Sequence, residues 1–308
     1  MNITIGTRGS KLALWQAYYI EELLQKAGAT TEIKTIETKG DKILDRALSK
    51  IGSKGVFTEE LEEQLTSGEI DIAVHSAKDL QSDLGDNFEI LAFTEREKIN
   101  DVLVSRIQDF ELKEDSTFTI GTSSTRRVAL LSKFYPKLKI VDMRGNLQTR
   151  IKKMDDGACD ALLLAFAGVH RMQNDNMIVH EFDASTFTPA VGQGSVAIEC
   201  SVNLGTEKKA LIAKACNEAQ TANCLIAERA FLKKVNGGCS IPVFGNATIE
   251  NDIITLNAGI ISLDGSELVR IKESGKDAVL LGQKVGDALL TQGGKEILDE
   301  IRKTQSHG

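Results

Sequence analysis

Residues 3–28 read Ile-Thr-Ile-Gly-Thr-Arg-Gly-Ser-Lys-Leu-Ala-Leu-Trp-Gln-Ala-Tyr-Tyr-Ile-Glu-Glu-Leu-Leu-Gln-Lys-Ala-Gly. The stretch predicts a strand at Ile3–Ile5, then a helix. Ser10 supplies an N-cap; Leu12, Trp15, Tyr19 and Leu23 recur at helical spacing, and Gly28 stops the helix. Outward from it the rhythm repeats. Glu32 to Thr38 reads as a strand, Thr58-Glu59-Glu60 opens a short helix that Gly68 closes, and Ile70 to His75 is a strand again. Alternating strands and helices predict a mainly parallel sheet covered by helices.

A second unit of the same kind starts near residue 101. Strands are expected at Asp101–Ser105, Phe118–Ile120, Lys139–Met143 and Ala161–Ala165. Helices are expected from Ser123 or Ser124 to about Phe134, and from Leu147 to Met154. Thr186 to Glu199 is apolar and Gly-rich, a chain returning between units. The last third differs. One long helix is expected from Glu207 to Lys234. Hairpins are expected around Asn251-Asp252 (between Ala247–Ile249 and Ile253–Ala258) and Asp264-Gly265 (between Ile260–Leu263 and Leu268–Lys272), and a final helix over Asp277–Arg302. The fold class is therefore α/β, followed by a small C-terminal α+β domain.

Composition narrows the function. The 308 residues are 42% hydrophobic and 26% charged, which suits a packed core and argues against disorder. No apolar run approaches about 18 residues, and the first residues lack a basic leader with an apolar stretch, so neither a membrane span nor a secretory signal is expected. The net charge of −7 disfavours nucleic acid as a partner. Yet the window 121–171 holds ten Lys or Arg against four Asp or Glu, including five of the chain's twelve arginines. A cationic segment inside an acidic chain points to a local anion site. The five cysteines form no CxxC pair and no His cluster accompanies them, so no metal site is expected.

Polar segments recur where strands end, which is where open α/β sheets bind ligands. Thr7-Arg8-Gly9-Ser10 offers backbone N–H groups and a guanidinium fork. His75-Ser76-Ala77-Lys78-Asp79 follows an apolar strand, and Asp79 is placed to stabilise a cation or handle protons. His75 reads either as a hydrogen-bonded structural residue or as a catalyst. Gly121-Thr122-Ser123-Ser124-Thr125-Arg126-Arg127 resembles an anion cradle without the Walker spacing. Arg144-Gly145-Asn146-Leu147-Gln148-Thr149-Arg150 repeats the theme, and Arg171 follows the next strand. Arginines at successive strand ends of one sheet converge on one cleft and suit a polycarboxylate or phosphate. In Asn236-Gly237-Gly238-Cys239, the glycines predict an open loop. Its thiol is a nucleophile if arginines lower its pKa, and otherwise an incidental Cys in a turn.

In order, the segments 7–17 (Thr-Arg-Gly-Ser-Lys-Leu-Ala-Leu-Trp-Gln-Ala), 74–79 (Val-His-Ser-Ala-Lys-Asp), 121–127, 144–146, 189–194 (Pro-Ala-Val-Gly-Gln-Gly) and 237–239 span nearly the whole chain. Together they resemble the porphobilinogen deaminase (hydroxymethylbilane synthase) family. The resemblance implies two lobes like those of periplasmic binding proteins with a cleft between them, and a third domain carrying a covalent cofactor. It implies boundaries of 1–97 plus 194–214 for the first lobe, 98–193 for the second and 215–308 for the third. It implies a transferase that joins four porphobilinogen molecules head to tail, releasing ammonia, primed by a dipyrromethane held as a thioether on Cys239. By motif, Asp79 is the central catalytic carboxylate, with Lys78 and Arg8. Ser10, Ser76, Lys78, Asp79, Thr122, Ser124, Arg126, Arg127, Arg144 and Gly145 hold the cofactor. Arg8, Arg144, Arg150, Arg171, Gln193 and Lys54 meet the substrate. A cytoplasmic monomer, acting on a small molecule with neither nucleic acid nor membrane, is the accompanying expectation. A two-lobed solute-binding protein for a carboxylated ligand explains the lobes and arginines as well, but gives no use to Asp79 beside Lys78 or to the Cys239 loop.

Overall fold

The computed structural model describes residues 1–42, 58–238 and 240–306. Lys54 and Cys239 lie outside these described residues. In chain order the strands are β1 (Asn2–Arg8), β2 (Thr30–Ile36), β3 (Ile72–Ser76), β4 (Phe88–Phe93), β5 (Asp101–Ser105), β6 (Thr119–Gly121), β7 (Lys139–Val141), β8 (Ala161–Ala165), β9 (Ile178–Glu181), β10 (Val196–Ser201), β11 (Val243–Glu250), β12 (Ile253–Ile261) and β13 (Leu268–Gly275).

They form three sheets, ordered β2-β1-β3-β10-β4, β7-β6-β8-β5-β9 and β11-β12-β13. The first two are the same arrangement built twice, so the protein has two α/β lobes and a small α+β domain. In each lobe four of the five strands point the same way, as the alternating pattern predicts. One strand in each sheet runs the other way. β10 runs antiparallel to β3 and β4, and β5 runs antiparallel to β8 and β9. The cause is the crossing between lobes. β10 enters its sheet beside the carboxyl end of β3, with Val196 opposite Ser76; β5 enters beside the end of β8, with Asp101 opposite Ala165. A chain arriving from the neighbouring lobe starts at the cleft edge and must run away from it.

The two crossings lie side by side as a double hinge. Thr94 N–H donates to the Val196 carbonyl, Glu97 N–H to the Gly194 carbonyl, and Arg96 Nε to the Gln193 carbonyl. Gly192 sits at φ +78°, and a Cβ there would come within 2.8 Å of the Ala77 carbonyl carbon. A side chain at 192 would therefore collide with the turn that follows β3.

Helix Lys11–Lys26 starts at Ser10, whose Oγ accepts from Ala13 N–H, and buries Ala13, Ala17, Ile20 and Leu24 against the first sheet. The helix expected from Glu207 to Lys234 is two helices, Thr206–Cys216 and Ala219–Lys234. Glu218 breaks it by accepting from the N–H groups of Gln220 and Thr221, while its own N–H donates to the Phe93 carbonyl. The expected final helix is likewise divided, into Ala278–Leu289 and Lys295–Ser306, by a turn in which Gly293 adopts φ +101°. Asn251 and Asp252 both have positive φ, as a tight two-residue hairpin requires, and join β11 to β12. Ile260 and Ile261, expected to begin a separate strand, complete β12.

The third domain does not pack alone. Its core of Phe231, Leu256, Ala258, Val285 and Leu289 continues without a break into Ala77, Leu80 and Val191. The turn after β3 thus rests on the C-terminal domain.

Candidate active site

The turn Ala77–Asp79 closes the carboxyl end of β3. Ala77 N–H donates to the Ser195 carbonyl and pins the turn to the hinge. Asp79 is exposed, whereas Lys78 is largely buried. Its Nζ donates to Gln193 Oε1 at 3.3 Å. Burial lowers the Lys78 amine to about 8, Arg127 and Arg126 add to the fall, and Asp79 and Asp101 oppose it.

Across from this turn stand the arginines of the second lobe. Helix Thr125–Phe134 is capped by Ser124, whose Oγ accepts from Arg127 N–H; Thr122 Oγ1 in turn accepts from Ser124 N–H. Both Arg126 and Arg127 turn inward onto Asp101, the first residue of β5. Arg126 Nη2 donates to Oδ2 at 2.7 Å and Arg127 Nη2 to Oδ1 at 2.6 Å. Arg127 spends its remaining described donors on Asp101 and the Leu163 carbonyl, and Arg126 Nη1 donates to Thr188. Burial pushes the Asp101 carboxyl up, but the two guanidiniums overrule it and hold it well below the usual carboxylate range. Gln193 completes the junction: its Nε2 donates to Asp101 Oδ1 at 3.0 Å and to the Ile99 carbonyl at 2.6 Å. One hinge glutamine therefore touches the first-lobe lysine and the second-lobe acid.

Arg150 rises from helix Leu147–Asp155, with Nε donating to the Gly145 carbonyl at 2.7 Å; Gly145 itself needs φ +113°. Burial lowers its pKa to about 10; Arg127 and Arg144 add to the fall, and Asp79 and Asp142 oppose it. Lys78, Arg126, Arg127, Arg144 and Arg150 thus form one electrostatic neighbourhood with Asp79. Five cations there face three described carboxylates, those of Asp79, Asp101 and Asp142. Arg126 Nε is buried and has no hydrogen-bond acceptor among the described residues. A guest bearing several carboxylates fits this surplus of charge and this spare donor. A dipyrromethane with acetate and propionate side chains is such a guest.

The other expected residues are placed as follows. Arg8 ends β1, beside β3, and Ser10 caps the helix that follows. Ser76 Oγ accepts from Gln16 Nε2 at 2.8 Å. Arg171 lies over the Trp15 ring, 5.1 Å from its centroid, and donates to the Gly194 carbonyl at 2.7 Å. It is thereby committed to the hinge, and no described contact joins it to the Lys78–Arg150 neighbourhood. The sequence reading missed Asp101. Its signal was present: an acid heading the wholly apolar strand core Val102–Val104 must be paired. It also missed Glu228, fully buried, which accepts from Arg96, Gly192 N–H and Ala247 N–H and so ties the third domain to both hinge strands.

Burial raises the thiols of Cys159 and Cys224 to about 11 and those of Cys200 and Cys216 to about 12, so none of these four is a ready nucleophile. Among the described residues no group of three or more His, Cys, Asp or Glu is arranged to hold a metal ion, and no helix is long and apolar enough to cross a membrane.

Residues 3–208 match the family model described as porphobilinogen deaminase, dipyromethane cofactor binding domain; residues 222–291 match that of the porphobilinogen deaminase C-terminal domain. A porphobilinogen deaminase of Desulfosudis oleivorans is 52% identical over 99% of this chain and 100% of its own. One of Cytophaga hutchinsonii is 55% identical over 98% of this chain and 97% of its own. Among solved structures, the methionine binding protein MetQ aligns with a TM-score of 0.44 at 16% identity, over 70% of this chain and 89% of that one. With matched models covering both lobes and most of the third domain, and relatives above half identity end to end, the chain belongs to the porphobilinogen deaminase family of enzymes.

Proposed function

We propose that this chain is a transferase that condenses four porphobilinogen molecules head to tail into hydroxymethylbilane, releasing ammonia at each addition. The observation that carries the reading is one exposed carboxylate, Asp79, set among cations that its own lobe and the opposite lobe provide. When bound, the dipyrromethane supplies the pyrrole end from which the chain is extended. Cys239 holds it as a thioether; an open Gly-Gly loop and the buried state of the four described thiols support that choice.

Loss of ammonia from a substrate aminomethyl group leaves a cationic pyrrole. Asp79 balances that charge, and its carboxylate then accepts a proton as aromaticity returns. Lys78, Arg144 and Arg150 bind ring carboxylates, Arg126 offers its spare Nε, and Asp101 holds Arg126 and Arg127 in place. Ser10, Ser76, Thr122 and Ser124 shape the strand ends, and Gly145 brings the backbone close to Arg150. Arg8, Gln193 and Lys54 complete the substrate set. Arg171 acts on it through the hinge. The reading includes the boundaries 1–97 with 194–214, 98–193 and 215–308, and a cytoplasmic monomer.

Two measurements test it. The intact mass of the purified protein is expected to exceed the sequence mass by a dipyrromethane, with the adduct mapping to Cys239 and absent from Cys239→Ser. An adduct on another residue, or full turnover by Cys239→Ser, overturns the attachment. The second concerns pH. Lys78 loses its charge as pH rises through about 8, so its hold on carboxylates weakens above that pH and not below it. KM for porphobilinogen is expected to climb between about pH 8 and 9 in the native protein. It should stay flat there in Lys78→Arg, which keeps its charge. Parallel profiles would remove Lys78 from the substrate set.

A further inference from the structure

The Asp79 turn is held at both ends by polar side chains that the reaction does not use. At the entering end, His75 of β3 places Nε2 2.9 Å from Oε2 of Glu199 on β10, and both side chains are buried. The register explains the pairing. Glu199 lies opposite Ala73 and Ala197 opposite His75, so His75 and Glu199 are diagonal neighbours on one face of the sheet. At the leaving end, the Gln81 carbonyl accepts from Arg229 Nη2 at 2.6 Å, and Arg229 belongs to helix Ala219–Lys234 of the third domain. Burial lowers the Arg229 pKa, and the carboxylates of Glu199 and Asp83 oppose the fall.

Neither oxygen of Glu199 accepts a hydrogen bond from a described residue, and its close contact is the His75 imidazole. A third carboxylate approaches from helix Glu59–Ser67. Glu62 is raised by burial, with Glu199 adding to the rise and His75 opposing it, and Glu62 Oε1 accepts from Gln81 Nε2. A buried pair of this kind is weak evidence for stability, which leaves a role in fixing one arrangement over others. Here the arrangement fixed is the peptide that carries Asp79.

We infer that Glu199, His75 and Arg229 are positioning residues that aim the Asp79 carboxylate. The buried His75–Glu199 pair fixes the strand that enters the turn, and the third-domain arginine holds the residue that leaves it. The third domain, which carries Cys239, thereby sets the direction of the carboxylate in the cleft. The shared core through Ala77 and Leu80 transmits the same seating. This rests on the reading of Asp79 as the reacting carboxylate.

The test uses the full chain with Arg229→Met, Arg229→Lys and Glu199→Gln. Amide hydrogen exchange is followed by mass spectrometry and compared between residues 76–82 and the second lobe. Arg229→Met is expected to speed exchange in 76–82 alone and to lower kcat by about 10²-fold with KM unchanged, as a misplaced group does. Arg229→Lys, which can still reach the Gln81 carbonyl, recovers most of both. Unchanged exchange in 76–82, a rise spread evenly over the chain, or an equal defect in Arg229→Lys overturns the proposal. If Arg229→Met does not fold, the isosteric Glu199→Gln is held to the same standard. Failure of the underlying reading looks different: Asp79→Asn would keep its turnover whatever the exchange data showed.

Discussion

Asp79→Asn is expected to lower kcat by about 10²–10⁴-fold, the range lost when a positioned proton-transfer group is removed. The asparagine has the same shape, and Asp79 is exposed, so folding and the mass adduct on Cys239 should survive. What disappears is the negative charge facing the cationic substrate. A second effect follows from the neighbourhood. Asp79 is the largest influence sustaining the charge of Lys78 against burial, and it sustains Arg150 in the same way. Without it the Lys78 amine drops below about 8, so the rise of KM with pH should begin earlier in the variant than in the native protein. Single-turnover kinetics with porphobilinogen, run beside intact mass, separates these effects. Native turnover in Asp79→Asn would end the assignment.

Why Asp79 was legible in the sequence and its supports were not is a matter of range. The segment 70–79 passes from apolar strand to ionisable turn within ten residues, and strand ends of open α/β sheets face clefts. The arginines announced themselves by local charge density. Their partner did not, because Asp101 lies 25 positions before Arg126 and reads locally as the first residue of a strand. The sequence therefore suggested guanidiniums presented to a ligand, whereas Arg127 is spent on Asp101 and Leu163, and Arg171 on the hinge. The antiparallel β5 and β10 were hidden for the same reason. Their direction is set by which lobe the chain arrives from, and no local period records that. The helix break at Glu218 sits in helix-favouring sequence and is fixed by contact with Phe93, a residue of β4. The break near Gly293 did carry a local signal in its glycine pair, and Asn251-Asp252 specified its hairpin outright.

Asp101→Ala is expected to cost more stability than loss of any single arginine in the cleft. The carboxylate is fully buried and accepts from Arg126, Arg127 and Gln193. Removing one partner of a buried ion pair costs about 3–5 kcal/mol because the other charge is stranded, and here two guanidiniums are stranded together. Losing one arginine instead leaves Asp101 with the other. The pH dependence has a definite sign. Asp101 is held well below the usual carboxylate range when folded, so its contribution is present above the ordinary carboxylate pKa near about 3.9 and is lost as pH falls beneath it. Denaturant unfolding at neutral pH should therefore show a wide gap between native protein and variant, narrowing only in strong acid. The consequence reaches the first lobe, since Gln193 joins Asp101 to Lys78. Asp101→Asn keeps the shape and one acceptor oxygen but abandons the charge. It should fold better than the alanine variant yet loosen the hold on Arg126 and Arg127, which then turn toward the cleft and bind carboxylates too tightly for a growing chain to advance. The expected signature is a mass series stalled at early additions beside a lowered KM. If Asp101→Asn instead released product at the native rate, the ion pair would be a stability device with no part in positioning the arginines.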